Sequence, residues 1–260
     1  MESLISVQNV SISRQGRFLL HDVTWETMRS QHWAILGANG AGKTTLLQTV
    51  LGYLWPSKGR VHVLSHQLGH YDVRELRKSI GFVSTNMDAR LEADQSALAI
   101  TASGRYAAYG LYENICQEDR EQAMHFLSMM DADQLATEPY RLLSQGEKQK
   151  VLIARSLMAH PSILILDEPC NGLDFPSRER LIQTIQKLCS TLDAPQVLYV
   201  THYPDEIMPA ITHTLLLRDG TIVGAGLKQE MLTQESLSAT FGISVHVKFQ
   251  DGYPVVRLKH

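Results

Sequence analysis

The sequence lacks any long hydrophobic run. None of its 260 residues belongs to a stretch that approaches the roughly 20 consecutive apolar residues needed to cross a bilayer. The first residues, MESLISVQNVSISRQ, also lack the basic start and the apolar run of a secretion signal. We therefore expect a cytoplasmic chain, whose association with any membrane depends on a partner.

The charge balance and the cysteines exclude two further classes of protein. Lysine and arginine number 24 against 27 aspartate and glutamate residues, which leaves a formal net charge of -3. A nucleic-acid-binding surface usually shows as a basic excess or stripe, so we expect no nucleic-acid partner. The three cysteines, Cys116, Cys170 and Cys189, lie far apart and form no C-x-x-C pair, which argues against a disulfide framework or a zinc site.

What the sequence does contain is a succession of strand and helix patterns. Residues 4–12 and 23–26 alternate apolar and polar side chains, as half-buried antiparallel strands do. Short continuous apolar runs are typical of strands buried on both faces of a parallel sheet, and they occur at 33–36, 163–166 and 197–201. Residues 88–160 have helical periodicity. The sequence therefore predicts an α/β fold with an antiparallel β subdomain and an inserted α-helical subdomain, and hairpin turns at Asp219-Gly220 and Asp251-Gly252.

A glycine-rich segment separates the first buried strand from a predicted helix over 43–53. It fits G-x-x-x-x-G-K-[ST] and consists of Gly37, Ala38, Asn39, Gly40, Ala41, Gly42, Lys43, Thr44 and Thr45. The glycines let successive N–H groups point inward at phosphate oxygens, and the helix adds its positive N-terminal end. Lys43 supplies a cation for the β- and γ-phosphates, and the Thr44 hydroxyl is placed to ligate Mg²⁺. The segment therefore predicts binding and hydrolysis of ATP.

An acidic pair follows the second buried strand. Asp167 and Glu168 stand at the carboxyl edge where α/β sheets bind ligands. Asp167 there can hold Mg²⁺, and Glu168 can orient and deprotonate the attacking water. Because Pro169 comes next, the pair could equally be the acidic start of a helix, and the residues alone leave both interpretations open.

Three further motifs carry a family resemblance. Leu143-Ser144-Gln145-Gly146-Glu147 precedes the strand that ends in Asp167, Gly172-Leu173-Asp174 follows it, and His202 comes directly after the run 197–201. With the phosphate-binding loop, these motifs resemble the signature motif, the D-loop and the switch histidine of the ATP-binding cassette (ABC) family, over nearly the whole chain. Kinases, GTPases and helicases share the phosphate loop but not the signature motif.

The resemblance implies one nucleotide-binding domain over 1–260. Within it, residues 1–87 and 161–240 would form a P-loop NTPase (RecA-like) core with the β subdomain. Residues 88–160 would form the helical subdomain that carries the signature motif, and 241–260 a C-terminal extension.

The resemblance also implies a head-to-tail dimer that sandwiches two ATP molecules with Mg²⁺. In each sandwich one copy would contribute the phosphate loop, with Asp167, Glu168 and His202, and the other copy Ser144 and Gly146. Lys43, Glu168 and His202 would act in catalysis, and Asp174 would join the nucleotide-binding residues. The chain would lie on the cytoplasmic face of the cell membrane against polytopic permease subunits, with a substrate-binding protein as a further candidate partner.

Three positions depart from the family pattern. Thr85 stands where family members commonly have a glutamine that touches Mg²⁺ and water, and we expect Asn86 to contribute instead. Gln145 replaces the commonest glycine of the signature motif, and we expect it to be helical, since a positive φ would cost it about 1 kcal/mol or more. Arg14, with Phe18 close in sequence, stands where an aromatic residue often stacks on adenine, and a guanidinium can stack there too.

Two resemblances point to different classes of transported substrate, and the sequence does not decide between them. The segment Ser103-Gly104-Arg105-Tyr106 is similar to cassettes of metal-chelate importers, for siderophores or cobalamin. Parts of the chain, including Cys170 and the Arg14 position, also resemble cassettes of molybdenum transporters. The expected function is to power transport, with import of a metal or metal chelate favoured. The alternative is a soluble ABC ATPase without a transport role, acting on ribosomes or DNA.

Overall fold

The computed structural model describes residues 2–84, 91, 94–106 and 115–259. The chain divides into two compact units: unit 1 consists of Met1–Arg77 and Gln196–His260, and unit 2 of Lys78–Pro195. The division expected from the sequence (1–87 with 161–240, 88–160, 241–260) stays a prediction. Within the described ranges, no helix combines the length and the apolar character needed to span a bilayer.

The elements are numbered in chain order. The strands are β1 (Ser3–Arg14), β2 (Arg17–Met28), β3 (Trp33–Leu36), β4 (Lys58–Val63), β5 (His66–Gln67), β6 (Ile80–Ser84), β7 (Ile163–Asp167), β8 (Gln196–Thr201), β9 (His213–Arg218), β10 (Thr221–Leu227), β11 (Val245–Gln250) and β12 (Tyr253–Leu258). The α-helices are α1 (Lys43–Val50), α2 (Val73–Lys78), α3 (Ala97–Ala102), α4 (Gln117–Met129), α5 (Gln145–Leu157), α6 (Phe175–Cys189), α7 (Lys228–Met231) and α8 (Gln234–Phe241).

Unit 1 contains the predicted antiparallel sheet, in the order β2-β1-β4-β5. Along β1 the buried positions change parity, from Ile5 and Val7 to Val10 and Ile12. Asn9 lies between the two pairs with φ 50°, and the register with β2 shifts at the same place. This bulge inserts one residue, so that apolar side chains continue to face the core on both sides of it.

Two-residue turns join the hairpins of unit 1. Both turn residues have positive φ at Gln15-Gly16, Leu64-Ser65, Asp219-Gly220 and Asp251-Gly252, as in type I′ turns. The hairpins predicted at Asp219-Gly220 and Asp251-Gly252 are thus confirmed as β9–β10 and β11–β12. The turn at Leu64-Ser65 contains no glycine, asparagine or aspartate and carries no such signal in the sequence.

The parallel strands of unit 1 position the phosphate loop. β3 lies between β8 and β9 and pairs in parallel with both, while β10 pairs antiparallel with β9. Every residue of β3 and β8 is buried, which is why these strands are continuous apolar runs. Leu36 pairs with Thr201, so the chain leaves both strands at the same edge of the sheet.

Unit 2 combines a parallel strand pair with packed helices. β6 and β7 pair in parallel, and Ser84 lies opposite Asp167 at their carboxyl ends. α3, α4 and α5 pack on one another, and α5 also packs on β6. The expectation of an α/β P-loop fold is confirmed.

One predicted helix is shorter than expected. The pattern over 43–53 predicts a helix to Tyr53, but α1 ends at Val50. Gly52 has φ 67°, a left-handed conformation that ends helices, and the Tyr53 N–H bonds back to the Gln48 carbonyl at 2.7 Å. The sequence signal for this end was the glycine itself.

Candidate functional site

At two glycines of the phosphate loop, the structure leaves no room for a side chain. A Cβ at Gly37 would overlap the backbone carbonyl oxygen of Leu217 on β9. Gly42 has φ 105° and caps α1, and a Cβ there would also lie only 3.0 Å from a methyl of Leu20. Backbone packing and conformation therefore demand glycine where the sequence motif has it.

Lys43 lies inside this loop. The residue is 6% exposed, and its Nζ donates to the carbonyl oxygens of Gly37 at 2.8 Å and Ala38 at 3.2 Å. The ammonium is thereby held within the curve of the backbone. The first turn of α1 contains no acidic residue, so its positive end is available to an anion. Thr44 is exposed and Thr45 half-buried in the same turn.

His202 belongs to the same edge of unit 1 as the phosphate loop. It follows Thr201, the partner of Leu36, while Gly37 follows Leu36. Its ring is half-buried and lies 4.0 Å from that of Tyr203, measured between centroids. The structure therefore brings together His202 and the loop that contains Lys43.

Arg14 lies at the exposed end of β1. It pairs with Arg17 across the turn Gln15-Gly16, and Phe18 pairs with Ser13. Since successive side chains of a strand alternate between its faces, Arg14 and Phe18 point to opposite faces of this hairpin. The Phe18 ring instead meets that of His21 edge-on, with centroids 4.7 Å apart.

Unit 2 contains the acidic pair. Asp167 is the last residue of β7 and is half-buried. Glu168 has φ 50°, and the Asn171 N–H donates to its carbonyl at 3.1 Å. The next helix, α6, begins only at Phe175, so the interpretation of this pair as a helix start is wrong. The carboxylates instead leave the strand in a sharp turn.

The signature residues begin a helix. Ser144 is the exposed N-cap of α5 and forms a capping box with Glu147: Glu147 Oε2 accepts the Ser144 N–H at 2.8 Å, and the Ser144 Oγ accepts the Glu147 N–H at 3.4 Å. Gln145 is the first residue of the helix and has no positive φ, as expected. The S-x-x-E spacing was the sequence signal for this box.

Gly146, in the first turn of α5, and Asp174, the N-cap of α6, share Ser177 as a neighbour. Gly146 is buried, and a Cβ there would lie 3.2 Å from the Cβ of Ser177. Asp174 caps α6 by accepting the Ser177 N–H at 2.9 Å. A hydrogen bond with the Ser177 side chain, first of all, and then this backbone bond lower the pKa of Asp174. Ser177 of α6 thus lies next to Gly146 of the signature motif and binds Asp174 of the D-loop, all within unit 2.

Comparison with known proteins agrees with these motifs. A model of the family described as ABC transporter matches residues 20–171. The uncharacterized ABC transporter ATP-binding protein YlmA of Bacillus subtilis is 43% identical over 252 residues, 96% of each chain. The chain belongs to the ABC transporter family.

This cassette is therefore an ABC transporter ATP-binding subunit, and it hydrolyses ATP. The hemin import ATP-binding protein HmuV of Escherichia coli O157:H7 is 30% identical over 258 residues, 94% of each chain. A solved structure, described as a metal-chelate type ABC transporter in an inward-facing conformation, is 25% identical, covers 100% of this chain and 98% of its own, and has a TM-score of 0.79.

The matched range of the cassette contains most of the candidate site. The phosphate loop, Ser144, Gly146, Asp167 and Glu168 lie within residues 20–171, whereas Asp174, His202 and Arg14 lie outside. Thr85, and Asn86 as its substitute, fall outside the described residues, so that hypothesis stays a prediction.

One buried residue near the site was not singled out by the sequence analysis. Glu206 is 2% exposed and binds the hydroxyl of Thr201, directly before His202. The only sequence signal was an acidic residue five positions after the end of a buried strand, a spacing too common to be informative.

Proposed function

We propose that two copies of this cassette bind two ATP molecules head to tail, and that each site combines residues of both copies. The observation that carries this proposal is the exposed N-cap Ser144. Ser144 is exposed at the start of α5, where its hydroxyl donates to Glu147 Oε2 at 2.7 Å, while Gly146 is buried against α6. An exposed helix N-terminus suits a γ-phosphate once Glu147 releases the Ser144 hydroxyl, and a second copy can supply such a terminus.

In each site the phosphate loop would hold the β- and γ-phosphates. Its N–H groups and the start of α1 offer positive potential, and Lys43 adds a buried full charge. Because Lys43 is already enclosed by backbone, little side-chain entropy would remain to be lost on binding.

The residues present fit Mg²⁺. Thr44 and Asp167 offer a hydroxyl and a carboxylate, the hard oxygen ligands that this ion prefers. When bound, Mg²⁺ would neutralise charge on the phosphates.

Glu168 would orient and deprotonate the attacking water, and His202 would donate to the γ-phosphate. The left-handed conformation of Glu168 costs a non-glycine residue about 1–2 kcal/mol, and strain of this kind clusters at functional sites. Glu168→Gln should therefore lower kcat by about 10²-fold or more, while ATP binding persists. A normal rate of ATP hydrolysis in Glu168→Gln would contradict this mechanism.

Mixing two inactive variants tests the head-to-tail arrangement. Lys43→Ala and Ser144→Arg each disable both sites of their own dimer, but a mixed dimer keeps one intact site. An equimolar mixture should recover about a quarter of wild-type ATPase activity, since half of the dimers are mixed and each has one of two sites. No recovery would mean that Lys43 and Ser144 of one copy serve the same site.

We further propose that the cassette powers import of a metal chelate through a separate polytopic permease, on the cytoplasmic face of the membrane. HmuV, by its name a hemin import protein, and the metal-chelate type transporter support this. Affinity purification of the cassette from detergent-solubilised membranes should yield a polytopic partner. Copurified ribosomes or DNA would instead favour the non-transport alternative.

The substrate is tested with the purified complex in lipid vesicles. A ferric siderophore, hemin or cobalamin should stimulate ATP hydrolysis, in the presence of a substrate-binding protein where one copurifies. Stimulation by molybdate alone would favour the molybdenum-type alternative.

A further inference from the structure

The backbone on both sides of His202 is tied to one buried hydroxyl. Thr201 Oγ1 accepts the N–H of Tyr203 at 3.0 Å and donates to Glu206 Oε2 at 2.6 Å. The same carboxylate oxygen accepts the Tyr199 hydroxyl at 3.2 Å. His202 therefore sits in a short segment that is clamped at the residue before it and at the residue after it.

Burial makes this carboxylate costly to keep. Glu206 is 2% exposed, Thr201 1% and Tyr199 0%. A buried carboxylate loses its hydration, and an apolar residue of similar volume often packs as well or better. A role in local geometry accounts for the cost, because Glu206 lies in the 3₁₀ turn Pro204–Glu206 while both hydroxyls lie on β8. The carboxylate fastens the turn back onto the strand.

The clamp lies at the edge of the sheet where the phosphate loop begins. Thr201 pairs with Leu36, after which the chain enters the phosphate loop. The His202 ring is half-buried, and the backbone of its segment is held on both sides. Displacement of a catalytic group by about 1 Å can cost up to 10²-fold in rate.

We propose that Glu206, acting through Thr201, is a positioning residue that holds His202 in its place for ATP hydrolysis. The proposal rests on the catalytic role of His202 proposed above. Glu206 does not itself touch the nucleotide, so its removal should lower kcat and leave the KM for ATP within about twofold.

Steady-state ATPase assays on four variants test the proposal. Glu206→Ala should lower kcat about tenfold, and Glu206→Gln should restore most of it, because an amide oxygen can still accept both hydroxyls. In a His202→Ala background, Glu206→Ala should cause no further loss, since the residue acts only through His202. Circular dichroism and thermal unfolding identify variants that fail to fold.

A matched pair of threonines separates positioning from general destabilisation. Thr201 and Thr214 are both buried, on the two strands that flank β3. The Thr214 hydroxyl has no hydrogen-bond partner among the described residues. Thr201→Val should lower kcat as Glu206→Ala does, whereas Thr214→Val should leave kcat unchanged. Equal effects of the two substitutions would overturn the proposal.

The outcomes distinguish this inference from the function on which it rests. If His202→Ala keeps normal kcat, the proposed role of His202 fails. If His202→Ala loses activity but Glu206→Ala does not, or if the two losses simply multiply, only the positioning role fails.

Discussion

Gly146 lies against Ser177, so that the signature helix and the D-loop helix touch where both begin. A Cβ on Gly146 would stand 3.2 Å from that of Ser177, closer than carbon atoms ordinarily pack. Ser177 is also the residue whose N–H the Asp174 carboxylate accepts. The two motifs, about 30 residues apart in the sequence, therefore share Ser177 as a neighbour.

This contact predicts a coupling between two substitutions. Gly146→Ala gains helix propensity but crowds Ser177, and Ser177→Gly removes the crowded atom. We expect Gly146→Ala to be more favourable by about 1 kcal/mol in the Ser177→Gly background than in the wild type, measured by urea unfolding. Ser177→Ala keeps the Cβ and is the control. Effects that add within about 0.3 kcal/mol would contradict the contact.

Asp131 gives a prediction about pH. Lys187 Nζ lies 3.0 Å from its carboxylate, and this hydrogen bond, first of all, lowers the pKa of Asp131 from the ordinary 3.8. A lowered folded-state pKa means that the unfolded chain binds more protons, so the stabilisation is present above about pH 4 and is lost as the pH falls through the lowered pKa.

Asp131→Asn should remove this charge effect and little else. Asparagine tolerates the φ of 50° at this position and still accepts a hydrogen bond from Thr184. Both charged side chains are more than half exposed, so we expect a loss of at most about 1 kcal/mol in the free energy of unfolding at pH 7. The loss should shrink with added salt and vanish in acid. An equal loss at pH 3 and pH 7 would exclude this electrostatic origin.

Lys228 ties the C-terminal hairpin to the segment that contains Met208 and Pro209. Its Nζ donates to the carbonyl oxygens of Met208 at 3.1 Å, Pro209 at 3.2 Å and Gly252 at 3.4 Å, and its burial lowers its pKa. Lys228→Met should destabilise the protein by about 1–3 kcal/mol, because the buried Met208 carbonyl and two part-buried carbonyls lose their donor. Hydrogen exchange of residues 245–258 should become faster, and unchanged exchange there would refute the tether.

Arg14 remains the candidate for adenine recognition. Stacking of its guanidinium would contribute about 0.5–2 kcal/mol, so Arg14→Ala should weaken ATP binding severalfold in calorimetric titration. Arg17→Ala is the matched control, since Arg17 pairs with Arg14 at the same exposed end of the hairpin. The prediction fails if ATP affinity is unchanged in Arg14→Ala, or if both variants lose affinity equally.

Local signals predicted most of the strands but, of the individual helices, only α1. The run Trp33–Leu36 is a strand with the expected bounds, and the Asp-Gly pairs at 219–220 and 251–252 turn hairpins. Each of these depends on a few adjacent residues. The turn at Leu64-Ser65 had no such signal, because pairing of β4 with β5 imposes its conformation, and the sharp turn after Asp167 was one of two open interpretations.

The sequence by itself determined which chemical groups are candidates for the site: a phosphate-binding loop with Lys43, the carboxylates of Asp167 and Glu168, and the motif around Ser144. These groups are recognised by residue type and spacing, which need no tertiary contact. Only the tertiary structure decided that Gly146 meets Ser177 and that Glu206 clamps the segment of His202. Gly146 and Ser177 become neighbours only when α5 packs on α6, and Glu206 meets Thr201 only because the 3₁₀ turn after β8 folds back onto the strand. Residue type and spacing do not encode either contact.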